Sequence, residues 1–249
     1  GIETYGEDPY LTSVMGVNVV KGLQCTDANQ KYDKIHACAK HFAVHSGPEW
    51  NRHEFNAENI KPRDLHETYL VPFEALVKEG KVKEVMCAYN RLEGDPCCGS
   101  DRLLMQILRQ EWGYEGIVLS DCGAIDDFYR EKGHKTHPDA ESASAAAVLS
   151  GTDLECGSSY KALVESAKKG LISEKDIDVS VKRLLKARFE LGEMDDPSKV
   201  EWTKIPYSVV CSAEHDSLSL DIARKSMTLL LNKNNILPLK RGGQTIAVR

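Results

Sequence analysis

The chain reads as an α/β protein: a partial TIM-like (β/α) barrel of about four strand–helix units, followed by the start of a second domain. Three features of the sequence point there. Four short apolar runs end abruptly in polar residues, at positions 35–41, 85–90, 116–121 and 152–155. Segments of helical period lie between them, and after the last run the pattern gives way to a polar stretch bearing prolines. Runs this short and apolar suit strands buried on both faces, and strands alternating with helices imply a parallel sheet.

After the first run, Leu65, Tyr69, Phe73, Leu76 and Val77 recur at three-to-four spacing. Pro72 falls among them and predicts a kink or a fresh first turn, because proline has no N–H for the preceding turn. After the second run, Ser100 is placed to cap a helix carrying Leu103, Leu104, Ile107 and Leu108. Pro138, suited to a first helical position, stands before the alanine-rich run to Leu149. A helix is expected over 173–191, closed by Gly192. Residues 193–212, with Pro197 and Pro206, read as a linker. A helix over 216–231, an Asn234–Asn235 turn, Pro238 and a strand over 245–248 read as the opening of a second, sandwich-type α/β domain. The expected organisation is thus 1–192 for the barrel portion, 193–212 for the linker and 213–249 for the second domain. A closed barrel has eight units, so the chain is expected to be part of a longer protein.

Composition narrows the function. The 249 residues are 41% hydrophobic and 28% charged with a net charge of -6, the profile of an ordinary globular chain. A nucleic-acid partner would need clustered basic groups, and the short run Lys182, Arg183, Lys186, Arg188 reads as a solvated helix face. No apolar stretch reaches membrane-spanning length, and the first residues carry no signal-peptide pattern. Of the eight cysteines none forms a CxxC pair or lies near a histidine at zinc-like spacing, so neither metal nor cofactor is expected. One disulfide around Cys87, Cys97 or Cys98 is open.

In parallel barrels the reacting groups stand at the carboxyl ends of strands. Here those are Lys40 and His41, Tyr89 and Asn90, Asp121, and Asp153 with Glu155. A cation, an imidazole, a phenol and carboxylates around one mouth suit a sugar, whose hydroxyls take charged hydrogen-bonding partners. Each residue also has a plainer reading. Lys40 and His41 fit a structural pair, Tyr89 a core residue with a satisfied hydroxyl, Arg52 a surface side chain, and Asp121 a turn cap. Asp153 and Glu155 read as structural. Lys40 alone would also suit a Schiff-base aldolase, given a desolvated pocket.

Order and context are more specific than any single residue. The stretches Glu-Thr-Tyr-Gly-Glu-Asp-Pro-Tyr-Leu at 3–11, Lys-His-Phe-Ala at 40–43, Asn-Arg at 51–52 and Met-Cys-Ala-Tyr-Asn at 86–90 come first. Leu-Ser-Asp at 119–121, Ser-Gly-Thr-Asp-Leu-Glu at 150–155 and Leu-Leu-Leu-Asn-Lys-Asn-Asn-Ile-Leu-Pro-Leu at 229–239 follow. In this order they resemble glycoside hydrolase family 3 along nearly the whole chain. The resemblance implies a retaining β-glycosidase in which Asp121 is the nucleophile, Lys40, His41 and Arg52 hold the sugar, and Tyr89 stands beside the nucleophile. Cys122, directly after it, is implied to line the sugar site, and it matches xylosidase-type members more than glucosidase-type ones, where tryptophan is frequent. The general acid/base of the family usually comes from the second domain, beyond Arg249, so the chain alone is expected to be inactive. The implied partner is an oligosaccharide or an aryl or alkyl glycoside, and the implied parent is secreted or periplasmic. A degenerate carbohydrate-binding protein without turnover is the non-enzymatic alternative.

Overall fold

The computed structural model describes residues 3–24 and 30–242, and the chain divides into two compact units between Thr203 and Lys204. The first unit opens with α1 (Pro9–Gln24), which the apolar pattern did not announce. Its signal is at the start: Asp8 Oδ1 accepts from the N–H groups of Tyr10 (2.8 Å) and Leu11 (3.0 Å), with Pro9 in the first turn. Gly16 lets α1 close on its neighbour, since a Cβ there would lie 3.0 Å from Leu76 Cδ2.

The strands follow the apolar runs: β1 (Cys38–Phe42), a short β2 (Asn56–Ala57), β3 (Glu84–Cys87), β4 (Arg91–Leu92), β5 (Asp95–Pro96) and β6 (Ile117–Ser120). β1, β3 and β6 form a parallel sheet in that order, Cys87 pairing with Ser120 and Phe42 with Cys87. The fourth run is a single parallel bridge, Leu119 to Leu154, rather than a full strand. β2, β4 and β5 make a second, small sheet that periodicity did not reveal. Glu93 (φ 51°) and Gly94 (φ 97°) turn its hairpin, the left-handed pair that a two-residue loop requires.

Between β2 and β3, α2 (Pro62–Asp64) runs into a π-helix, Leu65–Tyr69, and then α3 (Val71–Lys78). The wide turn, closed by Leu70 N–H to Leu65 O at 2.9 Å, sits where Pro72 disturbs the helical ladder. A second π-helix, Arg102–Glu111, starts where Ser100 Oγ accepts from Leu103 N–H (3.3 Å). After β6 comes α4 (Ala140–Leu149), whose cap is Asp139, accepting from Ser142 N–H at 2.8 Å. Pro138 therefore stands ahead of the cap and not at the first helical position, because a carboxylate serves the orphan N–H groups better. Then come α5 (Leu163–Lys168) and α6 (Glu174–Glu190). Ser173 and Asp176 close a reciprocal capping box, and Gly192 (φ 77°) ends the run.

The core lies between sheet and helices, with Phe42, Val85, Leu103, Leu104, Leu108, Val118, Ile125 and Phe128 all fully buried. The expected linker begins later than composition suggested. Val200 is buried and Trp202 Nε1 donates to Tyr32 O at 3.1 Å, so residues 193–203 pack on the first unit. The second unit holds α7 (Ala213–Ser226), capped by Ser212, and contains no buried residue among those described. The helix starts three residues before the expected position and stops at Ser226, leaving Leu229, Leu230 and Leu231 outside it and exposed. The expected strand over 245–248 lies outside the described residues.

Candidate active site

β1 and β6 lie either side of β3, and both deliver polar residues at their carboxyl ends. His41, on β1, places Nε2 3.3 Å from Oδ2 of Asp121, which directly follows β6; both side chains are only 13% exposed. Asp121 is fixed by its own backbone: its N–H donates to Cys87 O (3.2 Å), its carbonyl accepts from Ala124 N–H (3.0 Å), and Oδ1 accepts from Cys122 N–H (2.8 Å). Burial pushes the His41 imidazole down, against the pull of Asp121 and together with the repulsion of Lys40. The ring is therefore neutral at neutral pH, able to donate to one oxygen and accept from another.

Lys40 Nζ meets Glu3 Oε2 at 3.1 Å, and the same oxygen is 3.9 Å from His41 Nε2. The hydrogen bond and charge of Lys40 hold the Glu3 carboxyl below the usual range. Glu3 escaped the residue-by-residue reading, although the 3–11 motif contains it.

Tyr89, two residues past β3, donates its hydroxyl to Cys122 O (2.8 Å). Burial, then the charge of Asp121, pushes the phenol up to about 12, so it stays a donor. The guanidinium of Arg52 lies 4.9 Å from the centre of the Tyr89 ring, with Nη1 2.8 Å from Glu49 Oε1. Lys40, His41, Tyr89 and Asp121 thus share one mouth, and Arg52 reaches it across the Tyr89 face. Asn90 is buried instead, holding Ala43 O (3.3 Å) and His45 Nδ1 (3.1 Å).

Cys122, expected beside the sugar, is bridged to Cys156, joining the loop of Asp121 to that of Leu154. That bridge was not anticipated, whereas the one between Cys87 and Cys98 lies where a disulfide was left open. Arg183 is not part of a solvated face, because its Nη1 pairs with Asp153 Oδ1 at 2.7 Å. Asp153 also binds Arg109 Nη2 (2.7 Å) and is wholly buried, while Glu155 accepts from the N–H groups of Ser159 (2.8 Å) and Tyr160 (2.6 Å). Both carboxylates hold the fold together.

Among the described residues, Asp33, His36 and Glu190 are the one trio close enough to share a metal ion. They lie at the amino-terminal end of the sheet, away from Asp121. Lys83 Nζ sits 2.8 Å from Asp33 and 3.0 Å from Glu190, so the protein itself supplies the balancing charge.

Residues 1–187 match the family described as the glycosyl hydrolase family 3 N terminal domain. The chain belongs to glycosyl hydrolase family 3. A xylan 1,4-beta-xylosidase of Xylanibacter ruminicola is 59% identical to it over 250 residues, covering 100% of this chain and 29% of that protein. Of the family 3 structures, an exo-beta-xylosidase in complex with a xylobiose aziridine activity-based probe superposes with a TM-score of 0.87 at 33% identity, over 96% of this chain and 31% of the other. A beta-glucosidase from Listeria innocua in complex with isofagomine does so with a TM-score of 0.84 at 29% identity, over 96% and 33%. The chain therefore spans about a third of the length of these family members.

Proposed function

We propose that this chain supplies part of the (β/α) barrel, and the sugar-holding face, of a retaining β-glycosidase that removes non-reducing-end β-xylosyl residues in preference to β-glucosyl ones. The observation that carries the reading is Asp121: a shielded carboxylate at a strand end, anchored through its own backbone and 3.3 Å from the His41 imidazole. Such a carboxylate attacks the anomeric carbon as the bond to the leaving oxygen breaks. Water then attacks the glycosyl-enzyme, the carboxylate leaves, and the sugar departs with its configuration retained. His41, Lys40 and Arg52 hold the sugar hydroxyls, and Tyr89 orders the loop beside the nucleophile.

The leaving oxygen must be protonated by an acid that carries its proton when the bond breaks. Glu3 is held ionised by Lys40, the opposite state, so it reads as an acceptor for a sugar hydroxyl. We assign the acid/base carboxyl to a part of the enzyme outside this chain, which makes the chain alone inactive; its coverage of about a third of its relatives supports this. Cys122 itself supports xylose over glucose, since a cysteine directly after the nucleophile matches the xylosidase-type members of the family, and the bridge to Cys156 fixes its place. The names of the relatives lean the same way. Two disulfides also favour an oxidising compartment, consistent with a secreted or periplasmic enzyme. The ion pair of Lys40 with Glu3 speaks against an imine-forming amine.

The test is to incubate the full-length enzyme with activated 2-deoxy-2-fluoro xyloside and glucoside donors, then map the adduct by mass spectrometry. A glycosyl group on Asp121, formed faster from the xyloside, is expected, and Asp121→Ala should lower kcat on the order of 10³-fold or more. An adduct on another carboxylate would remove Asp121 as nucleophile. Sugar binding without adduct or turnover would favour a carbohydrate-binding protein.

A further inference from the structure

Next to Arg52 lies a histidine–carboxylate pair, His53 with Asp127. Asp127, in the short turn Asp126–Phe128, has a side chain only 3% exposed, and its Oδ2 lies 2.8 Å from His53 Nδ1. A carboxylate only accepts, so Nδ1 carries the hydrogen; in the neutral ring Nε2 is then the acceptor. That acceptor faces Arg52, whose Nε–H donates to it at 3.3 Å. The His53 ring also stands edge-on to Tyr89, with centroids 4.5 Å apart.

Arg52 would otherwise be poorly held. Its side chain is 38% exposed, and its carboxylate partner Glu49 is 79% exposed, so that ion pair is solvated and weak. With Nε engaged by His53 and Nη1 by Glu49, the fork lies against the Tyr89 face with its remaining N–H groups unclaimed among the described residues.

We propose that Asp127 and His53 form a positioning relay that fixes Arg52 for the sugar without touching it, the buried carboxylate setting the histidine tautomer and the histidine setting the arginine. The inference rests on the assignment of Arg52 to the sugar and deepens it. The plain alternative is that His53 merely satisfies the buried Asp127, in which case its loss affects stability and leaves substrate affinity alone.

The experiment uses the full-length enzyme and 4-nitrophenyl β-xyloside, with folding checked by thermal melts. Arg52→Ala should raise KM by about a hundredfold if the arginine holds the sugar. His53→Ala should raise KM by about tenfold with kcat changed less than about twofold. His53→Phe, which keeps the ring against Tyr89 but offers no acceptor, should do the same and guards against a misfolded alanine variant. His53→Gln can donate to Asp127 through its amide nitrogen and accept from Arg52 through its oxygen, so it should restore KM to within about twofold. The double variant Arg52→Ala/His53→Ala should be no worse than Arg52→Ala alone. An unchanged KM in Arg52→Ala would remove both the sugar contact and the relay. A raised KM there with unchanged KM in His53→Phe, or a glutamine variant no better than alanine, would remove the relay alone.

Discussion

Asp153 collects four donors on one buried carboxylate: Ser180 Oγ (3.0 Å) and Arg183 Nη1 (2.7 Å) on Oδ1, Arg109 Nη2 (2.7 Å) and Val118 N–H (2.9 Å) on Oδ2. Asp153→Ala would strand the Arg109 guanidinium, itself 7% exposed, and should destabilise the first unit by about 3–5 kcal/mol in urea titrations. A loss below about 1 kcal/mol would show that the cluster contributes little. His134 behaves differently. It packs against Phe128, its ring nitrogens have no well-formed hydrogen bond among the described residues, and burial, aided by the charge of Arg91, pushes it down to about 4. The native state therefore keeps it neutral where the unfolded chain, with the ordinary value of about 6.5, binds a proton. Its contribution is present above about pH 6.5 and lost as pH falls toward 4, an effect of roughly 3 kcal/mol. His134→Phe should flatten the decline of stability across that window by this amount, and unchanged slopes in wild type and variant would contradict it.

At the scale of elements, helix ends decide where the chain turns. α6 closes in a Schellman motif, Gly192 N–H reaching Phe189 O and Glu193 N–H reaching Arg188 O, both at 3.0 Å. Gly192 has φ 77°, and a Cβ there would stand 2.8 Å from Val200 Cγ2 and 2.9 Å from Tyr32 Cδ1. Gly192→Ala meets both a backbone and a packing penalty and should lower stability by about 1–3 kcal/mol, read from denaturant midpoints. A smaller effect would mean that residues 193–203 shift easily. The Cys122–Cys156 bridge does for the loop of Asp121 what this glycine does for α6, tying it to the neighbouring segment.

Seen whole, the chain leaves apolar faces uncovered. α1 buries Ser13, Val17, Val20 and Gln24 on one side, while Leu11, Met15, Val19 and Leu23 line the other at four-residue spacing, each 40–49% exposed. A helix apolar on two faces is built for burial. In the second unit, taken by itself, Leu229, Leu230 and Leu231 are exposed as well. The 249-residue chain by itself should therefore self-associate at micromolar concentration and bind a hydrophobic dye, as sedimentation velocity and fluorescence would record. A monodisperse, dye-silent chain would contradict this, despite the net charge of -6 that favours solubility.

What the sequence alone determined was local. Short apolar runs located β1, β3 and β6, and the polar residue after each placed Lys40, His41, Tyr89 and Asp121 at carboxyl ends, because a strand is legible in four or five consecutive residues. The ordered motifs carried the family. α1 was hidden because its two apolar stripes blur the helical period, and the hairpin of β4 and β5 because its strands are two residues long. The pairing of His53 with Asp127, of Arg183 with Asp153 and of Cys122 with Cys156 was decided only by tertiary structure. Those partners lie 74, 30 and 34 residues apart, and no periodicity or local propensity encodes which distant side chains meet once the strands are laid side by side.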